Sequence, residues 1–468
     1  MVEKTFVLSP FDQHGPRIYS RFALVFPVTD YDAAVSDLEQ ALLKTCNQLP
    51  FLKGKAFEKS EDRGQTYVTY SNEDPAPQFR EIPAPDGFPS YKELQSNRAP
   101  FSLGVFGTPV PKADAGFEAP VLAASYTKIH GGGLVVCILT YHKVMDGGGY
   151  GEVLRAIAEN TRGSALGIDP EDIPKRRGRL LGGMLQVPER VQGLEFDEIL
   201  RRHPEYALKS RLAAAVHGGA AAGTPKPGTG INRVFAFSKL RIDFIKAKLA
   251  DKLPARWLTV NNILTALIWA SITHIRTTRA ENPVSSATIS KMDFSVSGRR
   301  LLGPTVSSEP YLGNCLGYAL TEAAVDKLAF IPSESTVDRL EPVITSIASA
   351  SDKLTADHMY EIIQLSDTNP DLTDLVPSWF FYGPADLHFT SMAGVGLYDL
   401  DFGPNLGKPQ YVRSAMVKFD GVVMMLSRRR VPESEGDEAI EVSILLKEED
   451  MERLAADEAW RSWLVQDA

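Results

Sequence analysis

The stretch "LTYHKVMDGGGYGEVL", residues 139–154, constrains this chain more than any other. The apolar, β-branched run over 132–141 predicts a strand that is covered on both faces. Three glycines follow the strand after a short turn, and the pattern over 150–163 predicts a helix that ends at Gly163. His142 is therefore expected at the end of a rigid strand, where glycine lets a ligand or another backbone approach closely.

Two side chains in this stretch are candidates for chemistry. Histidine is suited to take and return a proton near neutral pH, so His142 is a candidate general base. Asp146 could orient the imidazole as in a catalytic triad, or the turn could aim its carboxylate away from His142. The residues alone also permit a structural role, in which His142 is an ordinary strand-end histidine beside a tight turn.

Length and charge limit the classes of protein that this chain can belong to. Its 468 residues exceed what one hydrophobic core usually supports, which favours two domains. Its formal charge of -9 makes nucleic acid and anionic membranes unfavourable partners. The three cysteines are far apart, which argues against a disulfide framework, and no apolar run has the length of a signal peptide or a membrane span. We expect a soluble, cytoplasmic protein.

The hydrophobic patterns predict a mixed α/β chain made of two similar lobes. Both halves alternate strands with amphipathic or buried helices, whereas residues 164–231 are rich in glycine, proline and charge and have little periodicity. We place a first lobe at 1–185, a crossover linker at 186–231 and a second lobe at 232–468.

Several short motifs occur in an order that is typical of one enzyme family. They are "HKVMDGGG", "DLDFGPNLGKP" (399–409), "FTSM" (389–392), "YLGNCLGYA" (311–319), "VSGRRLL" (296–302) and the helix ending "LPFLKGK" near residue 55. These are similar to the HxxxDG, DFGWG, Thr-Ser-Trp, Tyr-Phe-Gly-Asn, VDGRxRL and Pro-x-Leu-x-Gly elements of the BAHD acyltransferases. The chain resembles in particular their fungal branch of the trichothecene 3-O-acetyltransferase type.

The resemblance implies a fold and a reaction. Two lobes of the chloramphenicol-acetyltransferase type would be joined by a long crossover, with an active-site channel at their interface. An acyl-CoA, by default acetyl-CoA, would serve as co-substrate for a small-molecule acceptor that carries a hydroxyl or an amine. The resemblance implies no metal and no permanently bound cofactor, and we expect a monomer.

The resemblance also assigns roles to single residues. His142 would deprotonate the acceptor for direct attack on the thioester, and Thr390 would stabilise the resulting oxyanion. Asp146 would be structural and pair with an arginine of the VDGRxRL-like segment, either Arg299 or Arg300.

Two further groups of residues follow from the same resemblance. Asp401 and Gly403 would shape a loop that lies far from the chemistry. The coenzyme A phosphates require local cations despite the acidic total, and the candidates for contacts with coenzyme A are Ser391, Lys408, Arg413 and the run "PKRRGR" at 174–179. A solvated surface is the alternative interpretation of these charges.

Other classes of protein fit the sequence less well. A metal hydrolase is disfavoured because neither HExxH nor HxH occurs and the other histidines are scattered, and GxSxG of the serine hydrolases is absent. A condensation-domain-like enzyme with a carrier-bound donor stays open, although Tyr141 stands where those domains usually have a second histidine. A non-catalytic, ligand-binding descendant also stays open, because Met392 replaces the tryptophan of the family motif and Pro404 and Asn405 replace Trp-Gly.

Overall fold

The computed structural model describes residues 3–99, 118–164, 187–211, 230–307, 310–378, 383–414, 419–432 and 436–465. Within these ranges the chain alternates strands and helices throughout, and the strands are named in chain order. They are β1 (Lys4–Val7), β2 (Tyr19–Pro27), β3 (Lys55–Lys59), β4 (Gln65–Tyr70), β5 (Phe79–Glu81), β6 (Ala119–Pro120), β7 (Leu122–Ile129), β8 (Gly133–Tyr141), β9 (Tyr206–Leu208), β10 (Gly230–Ser238), β11 (Ile289–Ser297), β12 (Leu316–Ala324), β13 (Leu375–Pro377), β14 (Leu387–Ser391), β15 (Tyr411–Ser414), β16 (Val422–Met425) and β17 (Ala439–Lys447).

The α-helices are named in the same way, and most of the long ones begin at a residue whose side chain caps the first turn. They are α1 (Pro10–Gln13), α2 (Tyr31–Gln48), α3 (Tyr91–Ser96), α4 (Gly147–Thr161), α5 (Glu189–Gln192), α6 (Phe196–Arg202), α7 (Lys239–Lys248), α8 (Val260–Thr277), α9 (Pro304–Ser307), α10 (Val325–Leu328), α11 (Leu340–Asp352), α12 (Ala356–Thr368), α13 (Glu448–Ala456) and α14 (Glu458–Arg461).

The first lobe is built around β8. This strand lies between β2 and β7 in a five-stranded sheet of order β15-β2-β8-β7-β5, and all of its residues are buried. The predicted strand with two covered faces is therefore confirmed. Apolar residues of α2 and α4, such as Leu38 and Leu154, share one core with this sheet. A smaller sheet, of order β1-β4-β3-β6, belongs to the same half of the chain.

The second lobe has a six-stranded sheet of order β10-β17-β16-β14-β11-β12. Parallel pairing joins β14 to β11 and to β16, whereas the outer pairs are antiparallel. The apolar run that predicts a buried helix forms α8, whose Trp269 is fully buried in the core that covers this sheet. The predicted mixed α/β fold with two lobes is confirmed.

One segment of the second half completes the first lobe. Strand β15 pairs antiparallel with β2 along the register Tyr411↔Val25 to Ser414↔Phe22. Phe402, which precedes it, is buried in the first-lobe core with its ring centroid 5.1 Å from that of Phe26. A boundary between the lobes at residue 232 therefore leaves β15, a strand of the first-lobe sheet, in the second half of the chain.

The described part of the linker also contacts the second half. Strand β9 pairs with β13 in a two-stranded sheet, and the helix α6 packs against α12 in a third core. Residues 165–186 and 212–229 lie outside the described ranges. No helix of the described ranges is both long and apolar enough to cross a lipid bilayer.

Candidate active site

A large cavity lies where the two lobes meet. Its volume is about 950 Å³, which is at the upper end of the range for small-molecule pockets. The first lobe contributes His142 and the start of β2, and the second lobe contributes residues of β11 and β14, among them Ser295 and Thr390. The cavity can therefore hold a ligand in contact with both halves of the chain.

His142 lies in the turn that follows β8 and lines this cavity. Backbone hydrogen bonds fix the turn, because the His142 amide donates to the Ile18 carbonyl at 2.8 Å. The His142 carbonyl accepts a hydrogen bond from Nδ2 of Asn314 at 2.9 Å, and the same Nδ2 donates to Asp12 at 2.8 Å. The second-lobe amide thus holds the backbone that carries the imidazole.

The environment of His142 favours a neutral imidazole. Burial lowers the pKa of His142 below the ordinary value of 6.5. Its own backbone carbonyl, the charge of Asp146 and the side chain of Asn314 raise the pKa, but burial outweighs them. The Nδ1 atom is buried and has no well-aligned hydrogen bond to another described residue. A neutral imidazole at the wall of a cavity can accept a proton from a ligand.

The carboxylate of Asp146 points toward the second lobe and is fully buried. It accepts two hydrogen bonds of 2.8 Å from the guanidinium of Arg299, one of 3.0 Å from the Gly149 amide and one of 2.9 Å from the Cys315 amide. Burial raises the pKa of Asp146, but Arg299 and the two amides outweigh burial and hold the pKa below its ordinary value. Of the two candidate arginines, Arg299 is the partner.

The glycines after His142 make room for the second lobe. A Cβ atom on Gly149 would lie 2.7 Å from the Leu312 carbonyl oxygen, and one on Gly147 would lie 2.4 Å from Sδ of Met392. The contact at Gly149 is with backbone and is too close for any side chain, so only glycine allows the Leu312 segment to pack on the start of α4, whereas at Gly147 the flexible Met392 side chain would have to move. The sequence predicts that a ligand or another backbone approaches these glycines, and the structure shows that another segment of this chain does so.

The end of β14 and the residue after it present three residues of the motif "FTSM" to the cavity. Thr390, Ser391 and Met392 all line it, and the two hydroxyl residues are partly exposed while Met392 is buried. Thr390 lies opposite Met424 in the parallel pair of β14 with β16. This places two hydroxyl groups and a flexible thioether on the second-lobe wall of the cavity that His142 also lines.

Sequence reasoning missed a second histidine in the same cavity. His388 lines the cavity, and its Nδ1 lies 2.8 Å from Oδ1 of Asp293, a fully buried residue of β11. His388 is close enough to His142 to lower the pKa of that residue. A signal was available, since His388 lies two residues before Thr390 and would share its face on a strand.

The segment 401–405 lies away from the cavity, against the first lobe. The Gly403 amide donates to Oδ1 of Asp401 at 2.9 Å, and Gly403 has a φ of 85° that favours glycine. Nδ2 of Asn405 donates to the carboxylate of Asp37 on α2 at 2.8 Å. Neither Asp401 nor Gly403 lines the cavity.

The residues that are predicted to contact coenzyme A lie in different surroundings. Arg413 is buried, and its guanidinium donates to both carboxylate oxygens of Glu441 and to backbone carbonyls, including that of Ala99 at 2.9 Å. The geometry therefore contradicts the predicted contact of Arg413 with a phosphate, because its donors already have partners. Lys408 is exposed and does not line the cavity. The run 174–179 lies outside the described residues.

The arginines that do line the cavity come from both lobes. Arg21 and Arg155 belong to the first lobe, and Arg299 and Arg300 belong to the second. Arg299 is committed to Asp146, and Arg155 contacts Glu152 at 3.4 Å. Among the described residues, no group of three potential metal ligands at coordinating distance involves the cavity.

Comparison with known proteins assigns the chain to a family. The model of the Transferase family matches residues 1–459. The chain is 29% identical to the trichothecene 8-O-acetyltransferase of Fusarium sporotrichioides over 98% of each chain. It is 19% identical, with a TM-score of 0.76, to F. graminearum TRI101 in complex with ethyl coenzyme A, over 100% of both chains. The complex of F. graminearum TRI101 with coenzyme A and T-2 mycotoxin gives the same identity and TM-score over 99% of this chain and 100% of that chain. The chain belongs to the Transferase family, the BAHD acyltransferases that its motifs resemble, and is an acyl-CoA-dependent acyltransferase.

Proposed function

We propose that this acyltransferase moves an acetyl group from coenzyme A to a hydroxyl group of a small secondary metabolite, with His142 as the general base. The observation that carries the proposal is the position of His142, on the wall of a cavity between the lobes, beside an aspartate that is committed to Arg299. Acetyl and hydroxyl are chosen because the relatives are named O-acetyltransferases.

The proposed step is a direct transfer between two substrates. The neutral imidazole of His142 takes the proton of the acceptor hydroxyl while its oxygen attacks the thioester carbonyl. The tetrahedral intermediate then collapses, the carbon–sulfur bond breaks, and the leaving thiolate takes the proton from the imidazolium. The products are an ester and free coenzyme A, and no acyl-enzyme forms.

We propose Thr390 as the donor to the oxyanion, with Ser391 as a contact of the donor substrate. Both residues lie on the second-lobe wall of the cavity that His142 also lines. A donor that is already in place stabilises the developing charge at little reorganisation cost. His388 is a third polar group on that wall, and we propose that it binds the acceptor.

We propose Arg155 and Arg300 as the cations that bind the coenzyme A phosphates. Both line the cavity, one from each lobe, whereas Arg299 is held by Asp146. Arginine is suited to phosphate because its planar guanidinium donates two hydrogen bonds at once. Lys408, which is exposed, can contribute only outside the cavity.

We also propose that the enzyme works as a monomer in the cytoplasm. The three cysteines are buried and free, which is typical of a reducing compartment. The cavity takes its lining from both lobes of one chain, so a second copy is not needed to complete it.

His142→Ala should lower the rate of coenzyme A release by about 10² to 10⁴, because the acceptor loses its general base. The assay follows free thiol during incubation of acetyl-CoA with a panel of hydroxylated metabolites, and mass spectrometry identifies the ester. His130→Ala is the matched control, because His130 is exposed in the turn before β8. Equal turnover of the His142 and His130 variants would overturn the assignment of the base.

The pH dependence should report the pKa of His142. The base works only when neutral, and burial lowers its pKa below 6.5. We therefore expect kcat/KM to be flat near pH 7 to 8 and to fall as the pH drops through a midpoint below 6.5. Initial rates in buffers of constant ionic strength give this midpoint. A midpoint above 7 would contradict a buried neutral imidazole.

Thr390→Val should lower kcat by about 10² with little change in the KM for acetyl-CoA, because one donor to the oxyanion is removed. Valine keeps the shape and the strand preference of threonine. Thr140→Val is the matched control, since the Thr140 hydroxyl is buried in β8 without a hydrogen-bond partner among the described residues. A rise in KM at constant kcat would assign Thr390 to substrate binding instead.

Asp146→Ala should lower the free energy of unfolding by about 3 to 5 kcal/mol, because it leaves Arg299 buried without its partner. Thermal and urea unfolding measure the effect. The double variant Asp146→Ala/Arg299→Met removes both charges and should recover part of the loss. A variant of normal stability that has lost turnover would instead favour a catalytic role for Asp146.

A further inference from the structure

A second group of functional side chains lies outside the cavity, between the linker and the second lobe. His203 and Glu205 follow α6 and are buried, and His358 of α12 is mostly buried beside them. One ligand atom from each of the three residues lies within 4.8 Å of the other two. The reaction proposed above uses none of these residues.

The distances between these atoms are close to those of a metal site. Oε1 of Glu205 lies 2.7 Å from Nδ1 of His203 and 3.2 Å from Nε2 of His358. Ligands at about 2.1 Å from a tetrahedral zinc ion are about 3.4 Å apart. The 3.2 Å separation of Glu205 and His358 is already close to this distance. A small rotation of the His203 ring would lengthen the 2.7 Å separation of His203 and Glu205.

The outer contacts of the cluster also follow the pattern of a metal site. A metal-binding histidine usually donates its other ring N–H to a carboxylate. Nε2 of His203 lies 2.8 Å from Oε2 of Glu361, and Nη1 of Arg202 donates to the other oxygen of Glu361 at 3.2 Å. Glu361 would therefore fix the His203 ring with Nδ1 turned to Glu205 and His358.

A protonated His203 between two carboxylates is the competing arrangement. Burial lowers the pKa of His203, but Glu205 and Glu361 outweigh burial and raise the pKa above its ordinary value. In this arrangement the buried Nε2 of His358 lies 3.2 Å from Oε1 of Glu205, and the contact is not a well-aligned hydrogen bond. A metal ion would use that atom as a ligand.

We propose that His203, Glu205 and His358 bind a zinc-class divalent metal ion, with Glu361 as the carboxylate that orients His203. Two imidazoles and one carboxylate are a ligand set that suits zinc, and the charges of Glu205 and Glu361 balance the charge of the ion. The ion would be structural, because the acyl transfer needs no metal and the cluster does not line the cavity.

The consequence of such a site is a crosslink between the linker and α12. Met359, which follows His358, packs directly under Gly298, where a Cβ atom would lie 2.1 Å from its Cε. Gly298 precedes Arg299, the partner of Asp146. The metal would therefore stabilise the second-lobe segment that holds the aspartate beside the catalytic turn.

The experiment measures zinc binding to the full chain after treatment with a chelator and dialysis. Isothermal titration with zinc sulfate should give one equivalent bound by the wild type, and Kd should rise at least tenfold in His358→Gln and in Glu205→Gln. Both variants keep the size of the side chain and so limit the risk of misfolding, which circular dichroism checks. Cobalt should give the visible absorption of a tetrahedral site in the wild type only.

His130→Gln is the matched control, because it removes an exposed histidine far from the cluster in sequence and should bind zinc as the wild type does. Zinc should also raise the melting temperature of the wild type and of this control but not of the two cluster variants. The proposal is overturned if the wild type binds no zinc, or if the cluster variants bind it as tightly as the wild type. Neither result affects the proposed acyl transfer, which is measured separately as thiol release.

Discussion

The buried ion pair of Asp146 with Arg299 is the interaction on which the active site depends. It joins the start of α4 in the first lobe to the segment after β11 in the second lobe, and two backbone amides complete the hydrogen bonds of the carboxylate. A buried carboxylate without these partners would be strongly unfavourable. The two lobes are therefore held in one relative position at the point where the cavity requires it.

This ion pair also affects the hydrogen bonding and the pKa of His142. Because the carboxylate is committed to Arg299, the imidazole has no strong hydrogen bond to an anion, and burial lowers its pKa. A neutral base is the form that acyl transfer to an alcohol requires. The same aspartate fixes the turn that carries His142, through its contact with the Gly149 amide, and leaves the imidazole available for its proposed role as the base.

The sequence predicted the parts of the site that depend on local pattern. The buried strand β8 and the turn with His142 ahead of a helix follow from a β-branched run, a polar turn and three glycines. The sequence did not predict that β15 lies in the first-lobe sheet, because strand pairing across more than 300 residues leaves no local periodicity. Nor did it predict that Arg413 is buried against Glu441, since an exposed and a paired arginine look alike in a sequence.

The sequence by itself determined the family and the two lobes, and it predicted His142 as the base, because these inferences rest on short motifs and on hydrophobic periodicity. The tertiary structure alone decided which arginine pairs with Asp146, which cations reach the cavity, and that His388, whose ring contacts Asp293, lines the cavity together with His142. It also brought His203 and His358 together from positions more than 150 residues apart. The physical reason is that these contacts depend on how segments that are distant in the chain pair and pack in three dimensions, and side chains that meet in this way are independent in the sequence.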